Sequence, residues 1–380
     1  MNESGRTFRI FISAVEPSAD VHCANLITAL KQRNKNIEFV GVGGFRMAGA
    51  GCELLEDPTG QAAMIQNAFG KVFHFYGLIR RIRSYFVSHK IDLVIVCDSP
   101  AFNFHIAKAA KKANIKTLFY VAPQLWAWAA WRIRKLRRCC DKLCCILPFE
   151  QSWFGQKGLD VTFVGNPLLD EIEGDISSYK KSYSDYETKQ AKIAIMPGSR
   201  SAEIESLWIP MQQVAVGLKR KFANLHFTTV AVDEGRQREL KETQIEDFKC
   251  EYTISSVAET SRKVDFAIVA SGSVTLQVAA AGCPMVIMYQ SSRFLWHLIG
   301  RWILTTKYLS LVNILAEKEL VPEFMPYFAS IEPIGKRIEE LLCDRDKLVE
   351  VSSELIDLTK SLNAGSASEN VAKIVCEMLS

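Results

Sequence analysis

At 380 residues the chain is long for one domain and comfortable for two. Its 48% hydrophobic and 23% charged content suffices for two buried cores and excludes a disordered chain. The net charge of +4 is uneven: residues 1–166 carry 22 Lys and Arg against 12 Asp and Glu, while 167–380 carry 24 against 30, so the first half is suited to an anionic partner.

The predicted elements alternate along the chain. Apolar, β-branched runs at 9–15, 37–43, 91–97, 115–121, 142–149 and 160–165 predict strands separated by helix-like segments. No signal-peptide pattern precedes the first strand, and no apolar run approaches the ~20 residues that span a bilayer. Glu16, Ser18 and Asp20 follow that strand, where their polar groups either orient a ligand or cap the next helix. In Phe75–Phe86 the apolar positions 75, 78, 79, 82, 85 and 86 leave Arg80, Arg81 and Arg83 largely between them. That spacing predicts an amphipathic helix with a basic face, suited to a membrane interface or to packing on the sheet. Asp98 ends the strand at 91–97, and position alone leaves it as a helix cap or a general base.

Trp126 to Trp131 is followed by Arg132, Arg134, Lys135, Arg137 and Arg138, setting aromatics beside five cations. Such a stretch serves a headgroup boundary or a ligand phosphate. Nucleic acid is discounted, because no recognised nucleic-acid motif accompanies it. Eleven cysteines, an odd number, fit a reduced cytoplasmic compartment. Cys139-Cys140 and Cys144-Cys145 lack CxxC spacing and a histidine cluster, and read as buried thiols. No metal and no cofactor is expected.

Residues 168–190 turn polar and read as a linker between a first domain at 1–167 and a second at 191–330. The second domain repeats the alternation, with strands at 192–197, 225–232, 251–255, 264–270 and 285–289. Helical periodicity fills 331–380, expected to pack back across the domains. The fold class is therefore α/β, with two Rossmann-like domains whose parallel sheets face a cleft. Ligands of such sheets sit outside the carboxyl ends of the strands. Two strand-to-helix loops of the second domain suit a diphosphate: Pro197-Gly198-Ser199-Arg200, leading into a helix with Glu203, and Ser271-Gly272-Ser273.

The segment 264–290 resembles the donor-nucleotide region of GT-B glycosyltransferases. The whole chain resembles the lipid-A-disaccharide synthase family (glycosyltransferase family 19) through motifs in family order. These are Glu16-Pro17-Ser18-Ala19-Asp20, Asp98-Ser99-Pro100-Ala101-Phe102-Asn103, Pro123-Gln124-Leu125-Trp126-Ala127-Trp128, Leu147-Pro148-Phe149-Glu150, Phe163-Val164-Gly165-Asn166-Pro167, Pro197-Gly198-Ser199-Arg200 and Leu309-Ser310-Leu311-Val312-Asn313-Ile314-Leu315-Ala316.

The resemblance implies a GT-B-like, metal-independent, inverting transfer of 2,3-diacylglucosamine from UDP to the 6-hydroxyl of 2,3-diacylglucosamine 1-phosphate. It implies Asp98 as base, with Glu16 the alternative. Gly198, Ser199, Arg200, Glu203, Gly272, Ser273, Gln277 and Asn313 would surround UDP. Ser18, Asp20, Asn103, Trp126, Trp128 and Asn166 would lie on the acceptor side. It also implies a cytoplasmic protein held peripherally on the inner face of the membrane, and is compatible with a homodimer.

Three positions depart from the family pattern. Ala101 stands where an acidic residue or glycine is common, Asn166 replaces the usual histidine, and Gln277 replaces a glutamate that grips ribose hydroxyls. An amide keeps one acceptor but loses the charge-assisted bond. Other readings are a UDP-sugar epimerase-like relative and a non-catalytic UDP-sugar or lipid-binding protein.

Overall fold

A computed structural model describes residues 6–58, 68–170, 181–291 and 306–380, without the side chains of 68–73 and Trp128. The chain divides into two compact units, residues 1–170 with 362–380 and residues 171–361.

The first unit is built on a seven-stranded sheet in the order β3-β2-β1-β4-β5-β6-β7. Its strands are β1 (Phe8–Ala14), β2 (Ile37–Val42), β3 (Cys52–Glu56), β4 (Leu93–Cys97), β5 (Lys116–Tyr120), β6 (Lys142–Cys145) and β7 (Val161–Phe163), all paired in parallel. Ile10, Phe11 and Ile12 are all 0% exposed, so β1 is covered on both faces as a central parallel strand must be. Three helices begin with proline in the first turn, at Pro17, Pro100 and Pro148, where a missing N–H costs no intrahelical bond. Each proline thus turns the chain from a strand end into a helix and leaves the preceding residues at the carboxyl edge of the sheet.

The second unit carries a six-stranded sheet in the order β10-β9-β8-β11-β12-β13. It comprises β8 (Lys192–Met196), β9 (His226–Val230), β10 (Glu251–Thr253), β11 (Phe266–Ala270), β12 (Met285–Met288) and β13 (Glu323–Phe324), again all parallel. The helix Ser201–Lys221 lays Ile204, Leu207, Trp208, Met211 and Val214 into its core.

The described ends of the expected linker are built into the units. Leu168 and Leu169 are buried, and Tyr183 is 3% exposed in the second core, its hydroxyl donating to the Asp265 carbonyl at 2.9 Å. Residues 171–180 of that stretch lie outside the described residues. A few tyrosines in a run otherwise filled with Lys, Ser, Asp and Glu do not mark which of them is buried.

The C-terminal helix Ala367–Leu379 belongs to the first unit, with Val371, Ala372 and Val375 in the same core as Leu26 and Leu30. Arg33 holds Glu369 through two nitrogens at 2.9 and 2.6 Å, and Asp170 accepts from the Ala367 and Ser368 amides.

The helix Ala68–Ser88 spends its apolar stripe inside its own unit. Leu78, Ile79, Ile82 and Phe86 are buried, and Phe86 meets Phe11 edge-on at 4.9 Å. Of the two uses open to that stripe, packing on the sheet is the one observed. What remains outside is Tyr76, Val87 and the arginines. No helix among the described residues is long and apolar enough to cross a membrane, and all eleven cysteines are free thiols.

His22, buried in the helix Pro17–Arg33, has its pKa lowered to about 4 by burial, against an opposing pull from Asp170. The unfolded chain therefore takes up a proton near the ordinary 6.5, whereas the folded chain resists until about 4. Stability must fall as pH falls through that window, by about 2 kcal/mol between pH 7 and 5. His22→Leu is expected to flatten this acid limb, as read from urea midpoints at both pH values. An unchanged slope would place the proton uptake elsewhere.

Candidate active site

Each unit presents its own cluster at the carboxyl edge of its sheet. In the first, β1 and β4 are neighbours with Ala14 opposite Cys97, so Glu16 and Asp98 leave adjacent strand ends. Asp98 and Ser99 have φ of 52° and 41°, two consecutive non-glycine residues in the left-handed region. Such backbone costs ~1–3 kcal/mol per residue and persists only when its surroundings hold it.

The hold is visible. Asn103, fully buried, donates Nδ2 to the carbonyls of Cys97 and Asp98, both at 2.8 Å, while its Oδ1 accepts from Ser13 Oγ at 2.7 Å. The Asp98 amide donates to the Tyr120 carbonyl at 3.2 Å. Ser99 Oγ donates to Glu16 Oε1 at 2.6 Å, tying the two strand ends together. The N-cap of the helix Pro100–Lys112 is Ser99, so half-buried Asp98 stands one residue ahead of the helix. The structure therefore brings Glu16, Asp98 and Asn103 together, with Asn103 as a positioning residue. Ser13 and Ser99 were not singled out from sequence, since a serine at a strand end carries no pattern of its own.

Other predicted residues take structural places. Asp20 is 2% exposed, and its two oxygens accept from the Gly44, Arg46 and Met47 amides at 2.8, 3.1 and 3.1 Å. It thus caps the short helix Phe45–Gly49, while Ser18 is exposed. Trp126 is 7% exposed and donates Nε1 to buried Glu150 at 2.8 Å. Burial raises the Glu150 pKa to about 7, against the pull of Trp126 and the Leu147 and Ile146 amides. The Trp128 side chain lies outside the described residues. Asn166 is 2% exposed; its Oδ1 accepts from the Leu168 amide at 3.1 Å, and its backbone N–H reaches Leu362.

In the second unit β8 and β11 are parallel neighbours, so the 197–200 and 271–273 loops emerge side by side. Gly198 has φ of 106°, a conformation that disfavours side chains. The amides of Ser199 and Arg200 donate to Glu203 Oε2 at 3.1 and 3.2 Å, and Arg200 Nη1 reaches Glu203 Oε1 at 3.1 Å. The chain's own carboxylate thus occupies the amides expected to receive a ligand anion. Arg200 keeps 72% of its side chain exposed. Gly272 and Ser273 are exposed at the neighbouring loop, and Gln277 is half-buried in the helix Val274–Ala280.

Asn313 is fully buried. Its Nδ2 donates to the Val321 carbonyl and Glu323 Oε2 at 2.8 and 2.9 Å, and its Oδ1 accepts from the Leu320 and Val321 amides at 2.9 and 3.0 Å. Glu323 also accepts from the Leu309 and Ser310 amides and from Ser310 Oγ. Asn313 and Glu323 together pin the 309–323 segment. The role of Glu323 went unseen because its two-residue strand leaves no alternation to read.

A Cβ at Gly198 would lie 2.4 Å from Glu203 Oε2 and 2.8 Å from its Cβ. Gly198→Ala is expected to cost about 2 kcal/mol, seen as a lowered denaturant midpoint, because the left-handed turn and the Glu203 cap must both shift. An unchanged midpoint would show that this turn is not held as described.

The model of the lipid-A-disaccharide synthetase family matches residues 10–376. Curated lipid-A-disaccharide synthases are similar along the whole length. That of Trichlorobacter lovleyi is 30% identical, covering 99% of this chain and 98% of its own. A Legionella pneumophila homologue, lipid-A-disaccharide synthase 1, is 32% identical over 94% of both chains. Among solved structures, the Staphylococcus aureus MnaA–UDP co-structure aligns with a TM-score of 0.62 at 15% identity, over 97% of this chain and 96% of that one. The calicheamicin glycosyltransferase CalG4 also gives 0.62, at 13% identity over 99% of both chains. The two parallel-sheet Rossmann-like units are thus those of GT-B glycosyltransferases and related epimerases. With this family match spanning both sheets and both clusters, the chain belongs to the lipid-A-disaccharide synthetase family and is a glycosyltransferase.

Proposed function

We propose that the protein transfers 2,3-diacylglucosamine from UDP to the 6-hydroxyl of 2,3-diacylglucosamine 1-phosphate, with inversion, giving the β-1,6 disaccharide 1-phosphate and UDP. The observation that carries this reading is the strained Asp98–Ser99 turn, held by Asn103 at a strand end beside Glu16. A half-buried aspartate whose backbone is held this firmly suits a general base. Asp98 takes the proton of the 6-hydroxyl as that oxygen attacks the anomeric carbon, and the glycosidic electron pair leaves with UDP. Glu16, engaged by Ser99, orients the acceptor.

In the second unit the diphosphate is received by Arg200, Ser199, Gly272 and Ser273. Its negative charge displaces the Glu203 carboxylate from the Ser199 and Arg200 amides, so Glu203 acts as a stand-in that the donor removes. Gln277 meets the ribose hydroxyls as a neutral amide, and Asn313 fixes the 309–323 segment, whose helix packs against the one that carries Gln277. Exposed Trp131 and the cations of the first unit favour peripheral contact with an anionic inner leaflet.

UDP-GlcNAc 2-epimerases share this fold, the Neisseria meningitidis enzyme at TM-score 0.60 and 12% identity, so the assay is arranged to tell transfer from epimerisation. The two separate on acceptor dependence. UDP release that requires both sugar substrates supports transfer, whereas conversion of UDP-GlcNAc alone supports the epimerase.

A further inference from the structure

We propose that Arg134, Arg137 and Arg138 form a binding site for a phosphate ester. All three lie on the helix Ile133–Cys139, which is anchored in the first unit by Leu136 and Cys139, 0% and 4% exposed. Positions i, i+3 and i+4 share one helix face. Here that face turns outward, and the three exposed arginines together line an open cavity of about 420 Å³.

The surroundings offer them no counter-charge. No carboxylate lies within ion-pair distance of any of the three among the described residues, and the acids that follow in sequence are engaged elsewhere, Glu150 by Trp126 and the Ile146 and Leu147 amides. Asp141 pairs with Lys111 at 2.7 Å and accepts from the Thr117 amide, while Asp160 pairs with Lys142 at 2.5 Å. Further positive charge stands close by, with Lys135 over the Phe104 ring at 4.6 Å. Arg137 lies beside Gly158, which carries no charge to hold the guanidinium. Trp131, 65% exposed, begins the same segment.

Three guanidiniums gathered without an acid repel one another and gain most from a multiply charged anion. A guanidinium fork meets phosphate oxygens pairwise, and three forks suit a phosphate ester better than a single carboxylate. Two sources share this chemistry, a sugar phosphate and an anionic phospholipid headgroup. The first rests on the proposed function, since it makes the site the seat of the acceptor's 1-phosphate.

The test uses the full-length protein without donor. Glucosamine 1-phosphate is titrated and followed by phosphorus NMR, and cosedimentation is measured with phosphatidylglycerol and with phosphatidylcholine vesicles. Arg134→Gln/Arg137→Gln/Arg138→Gln is compared with wild type, its fold checked by thermal unfolding; the single variants replace it if it unfolds. Binding weakened about tenfold or more for glucosamine 1-phosphate identifies a sugar-phosphate site. The same loss with phosphatidylglycerol alone identifies a headgroup site. No wild-type binding in either arm, or binding unchanged by the substitutions in both, overturns the proposal. Neither arm needs turnover, so absence of disaccharide product with intact phosphate binding would remove the proposed function and leave this site standing.

Discussion

Asp98→Asn is expected to lower turnover about 1,000-fold, within the range that general-base catalysis contributes, while the protein stays folded. The reasoning rests on separating chemistry from architecture. Asparagine has nearly the size of aspartate and tolerates left-handed backbone, so the φ of 52° at this position is kept. The bonds that hold the turn run through the Asp98 backbone amide and carbonyl, to Tyr120 and Asn103, and survive the exchange. What is lost is the proton acceptor. Glu16→Gln keeps an oxygen to receive Ser99 and is expected to cost less, about tenfold, mainly in acceptor KM. The reverse ranking, with Asp98→Asn near wild type and Glu16→Gln inactive, would move the base to Glu16.

Asn313→Ala is expected to destabilise the second unit by about 4 kcal/mol, because it strands buried groups worth ~1–3 kcal/mol each. The Val321 amide and carbonyl lose their partner at once, and the Leu320 amide is left with the Lys318 carbonyl alone. Glu323 loses one of its donors as well, loosening its hold on the Leu309 and Ser310 amides. Hydrogen exchange reads this directly, since the Val321 amide should lose protection while β11, at the centre of the sheet, keeps its own. Donor KM should rise with it. Retained protection at the Val321 amide would show that Asn313 is not the pin of this segment.

Alternation of apolar runs was enough to recover the central strands of both sheets, because a strand buried on both faces must be apolar throughout, as Ile10 to Ile12 and Phe266 to Ala270 are. It failed at one edge of each sheet, while the opposite edges at β7 and β10 fell within predicted runs. β3 pairs on one side only and carries Glu53 and Glu56, and β13 is two residues long. Neither has enough apolar pattern to stand out.

The candidate site divides in a similar way. Strand ends can be located from sequence, so Glu16 and Asp98 were both expected just past strand ends before the sheet order made those ends neighbours. Partners cannot. Asp20, Asn103 and Asn313 carry polar groups at suggestive places, yet each is buried with its hydrogen bonds spent inside its own unit. Whether a polar side chain faces a ligand or a backbone amide depends on contacts across tens of residues, which spacing does not encode. The anion cradle at Gly198 illustrates the same limit. Glycine, serine and a following helix marked the place, but the spacing did not show that Glu203 turns back to fill it.

The most direct test of the account is the product itself. Purified protein given UDP-2,3-diacylglucosamine and 2,3-diacylglucosamine 1-phosphate is predicted to form one disaccharide, whose anomeric proton and carbon in NMR report a β-1,6 linkage with one UDP released per linkage. A retained α linkage, or a UDP-sugar altered without any disaccharide, would contradict it.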